Sequence, residues 1–385
     1  MALAMRIGAF CERHFAVIAV YGVWKLLLVH AMTVANSAAN ASNNEWNRYF
    51  TKDSHFWAAP FLNWDGHHYL FLAQDGYSAE RQGALAFYPL FPLTTTLVRL
   101  LSFDVFEAAF ITTTIFGLLS LLLFRSALKQ LPVGHKQSLW ATVLVLCYPS
   151  SFYLTAFYAE GAALFVFMGF FYFYAIKKQK LSFLFALLLP WTKGQGWFLG
   201  VLPALDIIVS AVGRRKKEFF LATFNLLAVG AGALSLLAFY KLTTGNTFAF
   251  INAQKTYIFN NSISHIFSAS HFLLSFYSAS PDLFSYNNSI VDKLFIGFMF
   301  LCFFPVAFSK DWKVIVLFLA LVLPAAMMGD GGSFSRHSLL VWPFVVLSIA
   351  RQNLLGKMGF CIFSGFLLMV QLYFATRFAS NLWVG

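Results

Sequence analysis

The sequence predicts an all-α, polytopic membrane protein: a bundle of about eleven transmembrane helices with external loops and an interfacial helix. Of its 385 residues, 59% are hydrophobic and only 11% are charged, whereas an ordinary soluble domain carries about 25% charged residues. The mean hydropathy is +0.70, and the apolar residues form long runs of the length that crosses a bilayer. A soluble fold of this size could not bury so much apolar surface.

Eleven apolar segments are predicted to span the membrane. They cover residues 15–35, 105–124, 139–157, 159–176, 181–192, 195–212, 219–240, 293–308, 314–328, 338–350 and 358–378. The segments 36–104 and 241–292 are predicted to be long external loops. The apolar piece 87–101 is too short to span, so we expect an interfacial helix on the outer leaflet. No small-residue cleavage site follows the first apolar segment, which favours a retained helix over a signal peptide.

The basic residues fall at every second junction between the predicted spans. Clusters such as Lys177–Lys180 and Arg214–Lys217 alternate with junctions that lack them, which is the positive-inside signature. The basic junctions and the N-terminus are therefore predicted to be cytoplasmic, and the C-terminus external. The net charge of +12 is thus explained by topology, and no single basic patch indicates nucleic acid. The compactness of the chain favours a bacterial inner membrane.

This topology places most acidic residues outside, so any chemistry is predicted on the external face. The cytoplasmic junctions are short and carry no glycine-rich phosphate loop, which argues against a nucleotide-dependent activity there. The four cysteines are widely spaced and suggest neither a disulfide nor a zinc site. His67 and His68 are adjacent and lack the spacing of metal ligands. We therefore predict no cofactor, although a divalent metal stays an alternative.

Polar and aromatic residues are most concentrated in the first predicted external loop. They form the runs Asn63–Tyr69, Ala73–Tyr77 and Ala86–Pro92. A carboxylate flanked by Trp, His and Tyr suits sugar binding, because the rings cover pyranose faces and the carboxylate can act as a general base. The alternative is an interfacial aromatic belt in which Asp65 only caps a helix. Besides Asp65, the candidate sugar-binding residues here are Trp64, His68, Tyr69 and Glu80.

These runs resemble the GPI mannosyltransferase 2 (PIG-V) family and its bacterial relatives. In that family a Trp-Asp-x-x-His-Tyr/Phe stretch precedes Ala-x-x-Gly-Tyr, an acidic residue and Phe-Phe-Pro-x-x-Pro. This first block, from Trp64 to Pro92, is the highly specific part of the resemblance. Weaker matches follow it in the same order as in the family. They are Tyr148-Pro149 with Tyr158-Ala159-Glu160, Thr192–Gly196, and Phe334–His337 with Trp342-Pro343.

The resemblance implies a glycosyltransferase of the GT-C class. These enzymes take a sugar from a polyprenyl-phosphate carrier on the external or lumenal face, with an Asp of the first external loop at the catalytic centre. It implies transfer of a hexose, such as mannose, from a polyprenyl-phosphate sugar to a lipid- or glycan-type acceptor. Two positions depart from the family, since Lys193 stands for an Arg and His337 for a Tyr. Lys193 is a point charge rather than a fork, which alters donor geometry.

Two cations are predicted to hold the phosphate of the lipid carrier. Lys193 lies in a polar break inside segment 181–212, and Arg336 lies just before the tenth predicted span. A charge at such a position is costly unless it serves a site. The alternative is that each pairs with a nearby acid, for instance Glu160 or Asp330. Glu160 itself is predicted to orient or contact the acceptor.

In the predicted mechanism, Asp65 is the general base, with Glu80 as its competitor. The leaving phosphate is stabilised by Arg336 and Lys193, and Gln254 of the second loop is a candidate sugar contact. A single displacement inverts the anomeric carbon. The rival functions are a transporter or flippase, which predicts midplane polar residues and repeated halves, and a polysaccharide polymerase or ligase. The sequence alone does not explain Lys25, in the first span.

Overall fold

The fold is entirely helical in the part of the chain that the structure describes. The structure is a computed structural model that describes residues 2–39, 56–80, 82–257, 265, 268–277, 282–285, 289–327 and 333–384. No residue in these ranges lies in a β-strand. The predicted all-α fold class is confirmed.

Eighteen α-helices follow one another along these residues. They are α1 (Ala2–Ala38), α2 (Ala59–Leu62), α3 (Gly66–Asp75), α4 (Leu90–Arg99), α5 (Val105–Leu128), α6 (His135–Leu146), α7 (Glu160–Ala175), α8 (Gln179–Thr192), α9 (Gly194–Phe198), α10 (Val201–Val212), α11 (Lys216–Thr244), α12 (Ala249–Tyr257), α13 (Ala269–Tyr277), α14 (Ile290–Phe308), α15 (Trp312–Met327), α16 (Phe334–His337), α17 (Trp342–Arg351) and α18 (Lys357–Ala379). Short 3₁₀ turns at Phe56–Ala58, Gln82–Ala86, Pro149–Leu154 and Ser338–Leu340 join some of them.

Six of the described helical segments are long and apolar enough to cross a membrane. They are His14–Ala38 within α1, α5, the continuous α9–α10 segment Gly194–Val212, α11, α14 and α18. Helices α7, α15 and α17 are apolar but shorter. The prediction of an integral membrane protein is supported by these helices, and the count of eleven spans stays a prediction.

Two predicted regions differ from the observed helices. The predicted span 139–157 ends early, because α6 stops at Leu146 and the chain continues as the Pro149–Leu154 turn. Proline disfavours the helical conformation of the residue before it, and Tyr148 is accordingly extended, with a ψ of 137°. The predicted loops also contain helices α3, α12 and α13, which were not predicted. Helix α4 lies within the apolar piece 87–101 and packs on α3 and α5.

The predicted break in segment 181–212 falls at a single extended residue. Helix α8 continues through Pro190 and ends at Thr192. Lys193 has extended angles, with φ of −161° and ψ of 165°, and α9 begins at Gly194. A side chain at Gly196 would collide with the carbonyl oxygen of Leu189, so glycine permits α9 to pack against the end of α8. The break therefore presents Lys193 to the interior of the bundle.

The N- and C-terminal helices close the bundle through a buried glutamine. The Trp24 indole of α1 donates to Gln371 Oε1 of α18 at 3.0 Å. The Gln371 amide in turn donates to the carbonyl oxygens of Leu146 and Tyr148, both at 2.8 Å. Next to this junction, the Tyr148 ring stacks on Trp342 at 4.8 Å. These contacts hold α1, α6, α17 and α18 around the segment that carries the candidate site.

Candidate active site

The Trp64-Asp65 turn is held by hydrogen bonds to its backbone from distant parts of the chain. Trp64 adopts a left-handed conformation with φ of 59°, which costs a bulky residue about 1–3 kcal/mol. The side-chain NH₂ group of Asn63, just before the turn, donates to the Phe378 carbonyl at 2.8 Å. The Tyr158 hydroxyl donates to the Asn63 carbonyl at 2.9 Å and accepts from the Asp65 N–H at 3.0 Å. The turn is thereby fixed despite its strain.

The Asp65 side chain does not cap the helix that it precedes. It occupies the N-cap position of α3, but it has helical angles and makes no side-chain capping hydrogen bond. Its Oδ2 instead accepts from Arg336 Nη1 at 2.5 Å. The alternative in which Asp65 only caps a helix is therefore wrong. One quarter of the Asp65 side chain is exposed, so this carboxylate is not sealed in the interior of the bundle.

Four charged side chains form a continuous network that begins at Asp65. Arg336 Nε lies 3.2 Å from Glu160 Oε1, and the same oxygen accepts from Lys193 Nζ at 2.6 Å. We call Asp65, Arg336, Glu160 and Lys193 the charged network. The exposed fraction of these side chains falls from 25% at Asp65 to 11% at Arg336, 0% at Glu160 and 8% at Lys193. The network is therefore open at the Asp65 end and buried at the Glu160 end.

The local electrostatics keep a positive charge on Arg336. Burial lowers its pKa, but the carboxylates of Asp65 and Glu160 outweigh burial and hold the pKa well above its usual value. Burial lowers the pKa of Lys193, and the Glu160 carboxylate opposes that shift. Burial, with the charges of Lys193 and Arg336, also drives the pKa of His337 well below its ordinary value. His337 is therefore neutral, and it adds no third cation.

Aromatic rings surround the open end of the network. Trp64 packs edge-on against Trp383 with ring centroids 5.1 Å apart. The rings of Tyr153 and Tyr158 lie 5.8 and 5.4 Å from the Arg336 guanidinium carbon, within the range of cation–π attraction. The sequence analysis named Tyr158 only as part of a family-like match and did not name Tyr153, because the contact of both rings with Arg336 joins residues that lie far apart in the chain. These rings limit the orientations open to Arg336.

The predicted His and Tyr contacts occupy different depths. His68 is exposed and stacks on Phe87 at 4.9 Å. Tyr69 is only 3% exposed and packs edge-on against Phe87 at 5.0 Å, so it belongs to the core behind the site. Burial, followed by His68, lowers the pKa of His67 to about 3, although Asp65 raises it. His67 is therefore neutral and buried, and His68 is the histidine that a ligand can reach.

Two predicted site residues lie away from the charged network. Glu80 is exposed in the segment after α3, and no ion pair within the described residues joins it to the network. Gln254 lies on α12, where its amide makes a long 3.5 Å hydrogen bond to the Ala86 carbonyl. Helix α12 packs on the Gln82–Ala86 turn, so the second loop region contacts the first. Asp330, the suggested partner of the cations, lies outside the described residues.

The sequence analysis did not identify one buried carboxylate beside the site, that of Asp292. Asp292 is 0% exposed and accepts backbone N–H hydrogen bonds from Ser335 at 2.8 Å and from Ser333 at 3.2 Å. The sequence analysis counted it only as one of many external acids. Its signal was present, because an acidic residue at the start of an apolar span needs a partner. Two of its three hydrogen-bond donors are backbone N–H groups, and a backbone group leaves no recognisable pattern in the sequence; the third is the Ser289 hydroxyl.

No three His, Cys, Asp or Glu side chains among the described residues are grouped as metal ligands. In this arrangement, the partly exposed carboxylate of Asp65 contacts the Arg336 guanidinium. The same guanidinium also contacts the buried carboxylate of Glu160. Such a set can accept a proton at Asp65 and stabilise a developing anion next to Arg336.

Comparison with known proteins adds no family to this description. No family model matches the sequence, and no curated protein matches it. We therefore base the function on the geometry of the charged network and on the motifs that form it.

The ion pair at the buried end of the network leads to a prediction about stability. Lys193→Met leaves Glu160 with one of its two cations lost, and breaking a buried ion pair costs about 3–5 kcal/mol. We expect a clear fall in the thermal unfolding temperature of the detergent-solubilised protein, and a much smaller fall for Lys193→Arg. The double variant Lys193→Met with Glu160→Gln removes both charges and should recover most of the loss. Additive destabilisation in the double variant would show that the two side chains act independently.

Proposed function

We propose that the protein is a membrane glycosyltransferase of the GT-C class, similar to the GPI mannosyltransferase 2 family. It moves a hexose, mannose or a close relative, from a polyprenyl-phosphate carrier to a hydroxyl of a lipid- or glycan-type acceptor on the external face. The observation that carries the proposal is the contact between Asp65 and Arg336. These residues are 271 positions apart, and each belongs to a motif that resembles the family.

In the proposed reaction, the acceptor oxygen attacks the anomeric carbon while Asp65 takes up the hydroxyl proton. The bond between the anomeric carbon and the phosphate oxygen breaks, and the polyprenyl phosphate leaves with the electron pair. A single displacement inverts the configuration at that carbon. Arg336 has five N–H donors, so it can contact the departing phosphate while it stays bonded to a carboxylate.

The buried position of Lys193 changes its proposed role. We expected Lys193 to contact the phosphate directly, but its side chain is 8% exposed and bonded to Glu160. A role as counter-charge to Glu160 fits that position better. Glu160 then holds Arg336 from the side opposite Asp65, which favours an orienting role over contact with the acceptor. Arg336 is accordingly the proposed cation that faces the phosphate.

We also propose that the chain crosses the membrane eleven times, with the N-terminus inside and the network near the outer surface. Support comes from the alternation of basic clusters and from the shorter apolar helices α7, α15 and α17, which add to the six long segments. Helix α4 is proposed to lie at the outer interface. A bacterial inner membrane fits this arrangement.

Single-cysteine labelling tests this orientation. In a variant whose four native cysteines are replaced, Glu80→Cys should react on intact cells with a membrane-impermeant maleimide, because Glu80 is exposed and proposed external. Lys217→Cys, exposed at a basic junction, should react only after permeabilisation. The reverse labelling pattern would place the charged network on the cytoplasmic side and remove the proposed function.

A donor assay tests the proposed chemistry. The purified protein in vesicles is given radiolabelled polyprenyl-phosphate mannose and a lipid extract as acceptor source, and the release of polyprenyl phosphate is measured. We expect release that depends on the extract and is absent with a nucleotide-linked or polyprenyl-diphosphate sugar. Consumption of the diphosphate donor would indicate a polymerase or ligase. Passage of an intact lipid-linked sugar across the bilayer would indicate a flippase.

A further inference from the structure

Arg336 lies in a short helical segment that is not stable by itself. Helix α16 has only four residues, Phe334–His337, and a single helical turn has little stability by itself. Ser333, immediately before it, adopts a left-handed conformation with φ of 60°, which non-glycine residues rarely take. Contacts from other parts of the chain must therefore fix the direction in which Arg336 points.

Asp292, near the start of α14, supplies the main contact to this segment. Its Oδ1 accepts the Ser335 N–H at 2.8 Å. Its Oδ2 accepts the Ser333 N–H at 3.2 Å and the Ser289 hydroxyl at 2.8 Å. The carboxylate is 0% exposed, and none of the ion pairs in the described ranges includes it. Its charge is thus stabilised by three neutral donors, two of which belong to the backbone that leads to Arg336.

The opposite side of the same peptide segment is also held. The hydroxyls of Ser150 and Ser338 donate to the Ser335 carbonyl oxygen at 2.5 and 2.7 Å. Ser335 is therefore fixed at its N–H by Asp292 and at its C=O by two serines, one residue before Arg336. A small rotation of this residue would move the guanidinium away from both Asp65 and Glu160.

We infer that Asp292 is a positioning residue, which fixes the backbone of Ser333 and Ser335 so that Arg336 meets Asp65 and Glu160. A carboxylate is required because both of its oxygens accept hydrogen bonds. An asparagine has one accepting oxygen, and its NH₂ group would face an N–H donor. The catalytic consequence rests on the proposed function, whereas the grip on the backbone can be tested without it.

Hydrogen exchange tests the hydrogen bonds from the Ser333 and Ser335 N–H groups to Asp292. The Ser333 and Ser335 amides should be protected in the full-length protein in detergent, and Asp292→Asn should speed their exchange by about tenfold or more, the loss of one hydrogen bond to a charged group. The matched control is Asp206→Asn. That carboxylate is also buried, but it bonds to Tyr174 and Lys313, so exchange at Ser333 and Ser335 should not change. Equal protection in Asp292→Asn and the wild type would overturn the inference.

A double-mutant cycle tests the action through Arg336. Asp292→Asn should lower sugar turnover by about tenfold when Arg336 is present and should cause no further loss in Arg336→Ala. A purely structural residue gives additive losses, so additivity would overturn the positioning role. Should Asp292→Asn fail to fold, Ser289→Ala, which removes one donor, should show the same pattern with smaller losses. If the wild type transfers no sugar but Asp292→Asn still speeds exchange, the proposed function fails and the grip on the backbone stands.

Discussion

Asp65→Asn is expected to leave a folded protein whose sugar transfer is about a hundred- to ten-thousandfold slower, the loss typical of a missing general base. Asparagine keeps the shape of the side chain, and its oxygen can still accept from Arg336, but it cannot take up the proton of the acceptor hydroxyl. Because a quarter of the Asp65 side chain is exposed, the change leaves no fully buried group without a partner. Turnover of polyprenyl-phosphate mannose should be measured together with thermal stability.

The matched control is Glu80→Gln. Glu80 lies in the same family-like block, but it is exposed and outside the charged network, so near wild-type turnover is expected. If Glu80→Gln is inactive while Asp65→Asn keeps more than about a tenth of the rate, far above what general-base loss allows, the assignment is wrong. Chelation adds a second comparison. Activity lost in EDTA and restored by a divalent cation would make Asp65 a metal ligand rather than a base.

The six long apolar helices could be predicted because bilayer-length apolar runs are a property of contiguous sequence. The break at Lys193 was predicted for the same reason, since a polar stretch interrupts an apolar one. Two predictions failed for different reasons. Proline at 149 ends the helical region before the predicted limit of 157, and the segments that were predicted as loops contain α12 and α13, whose short amphipathic patterns resemble loop sequence.

The members of the charged network were singled out one by one, but their pairing was not predicted. Pairing of Lys193 with Glu160 was one alternative, and the structure supports it at 2.6 Å. The contact of Arg336 with Asp65 joins residues 271 positions apart, so no local pattern could indicate it. Asp292 was missed for a different reason. Its bonds to the segment before Arg336 go to backbone N–H groups, which every residue type except proline offers, so the side chains of that segment did not indicate it.

Arg336→Ala is expected to lower sugar turnover by about ten- to a hundredfold, which corresponds to the loss of about 1.5–3 kcal/mol from a charge-assisted contact to phosphate. The side chain is 11% exposed and lies between the carboxylates of Asp65 and Glu160, so its removal also leaves these two acids without their shared cation. The turnover of Arg336→Lys should lie between those of the wild type and Arg336→Ala, because an ammonium keeps the charge but lacks the planar fork that can bond in two directions.

Product binding separates the two effects of losing Arg336. If the guanidinium faces the leaving phosphate, free polyprenyl phosphate should inhibit the wild type and Asp65→Asn at similar concentrations but inhibit Arg336→Ala at concentrations about tenfold or more higher. If Arg336 only orients Asp65, inhibition should be the same in all three proteins although turnover differs. Wild-type turnover in a folded Arg336→Ala protein would remove this residue from the site. It would also leave Asp292 without a catalytic partner, since the proposed action of that buried carboxylate runs through the backbone of Ser335 to this guanidinium.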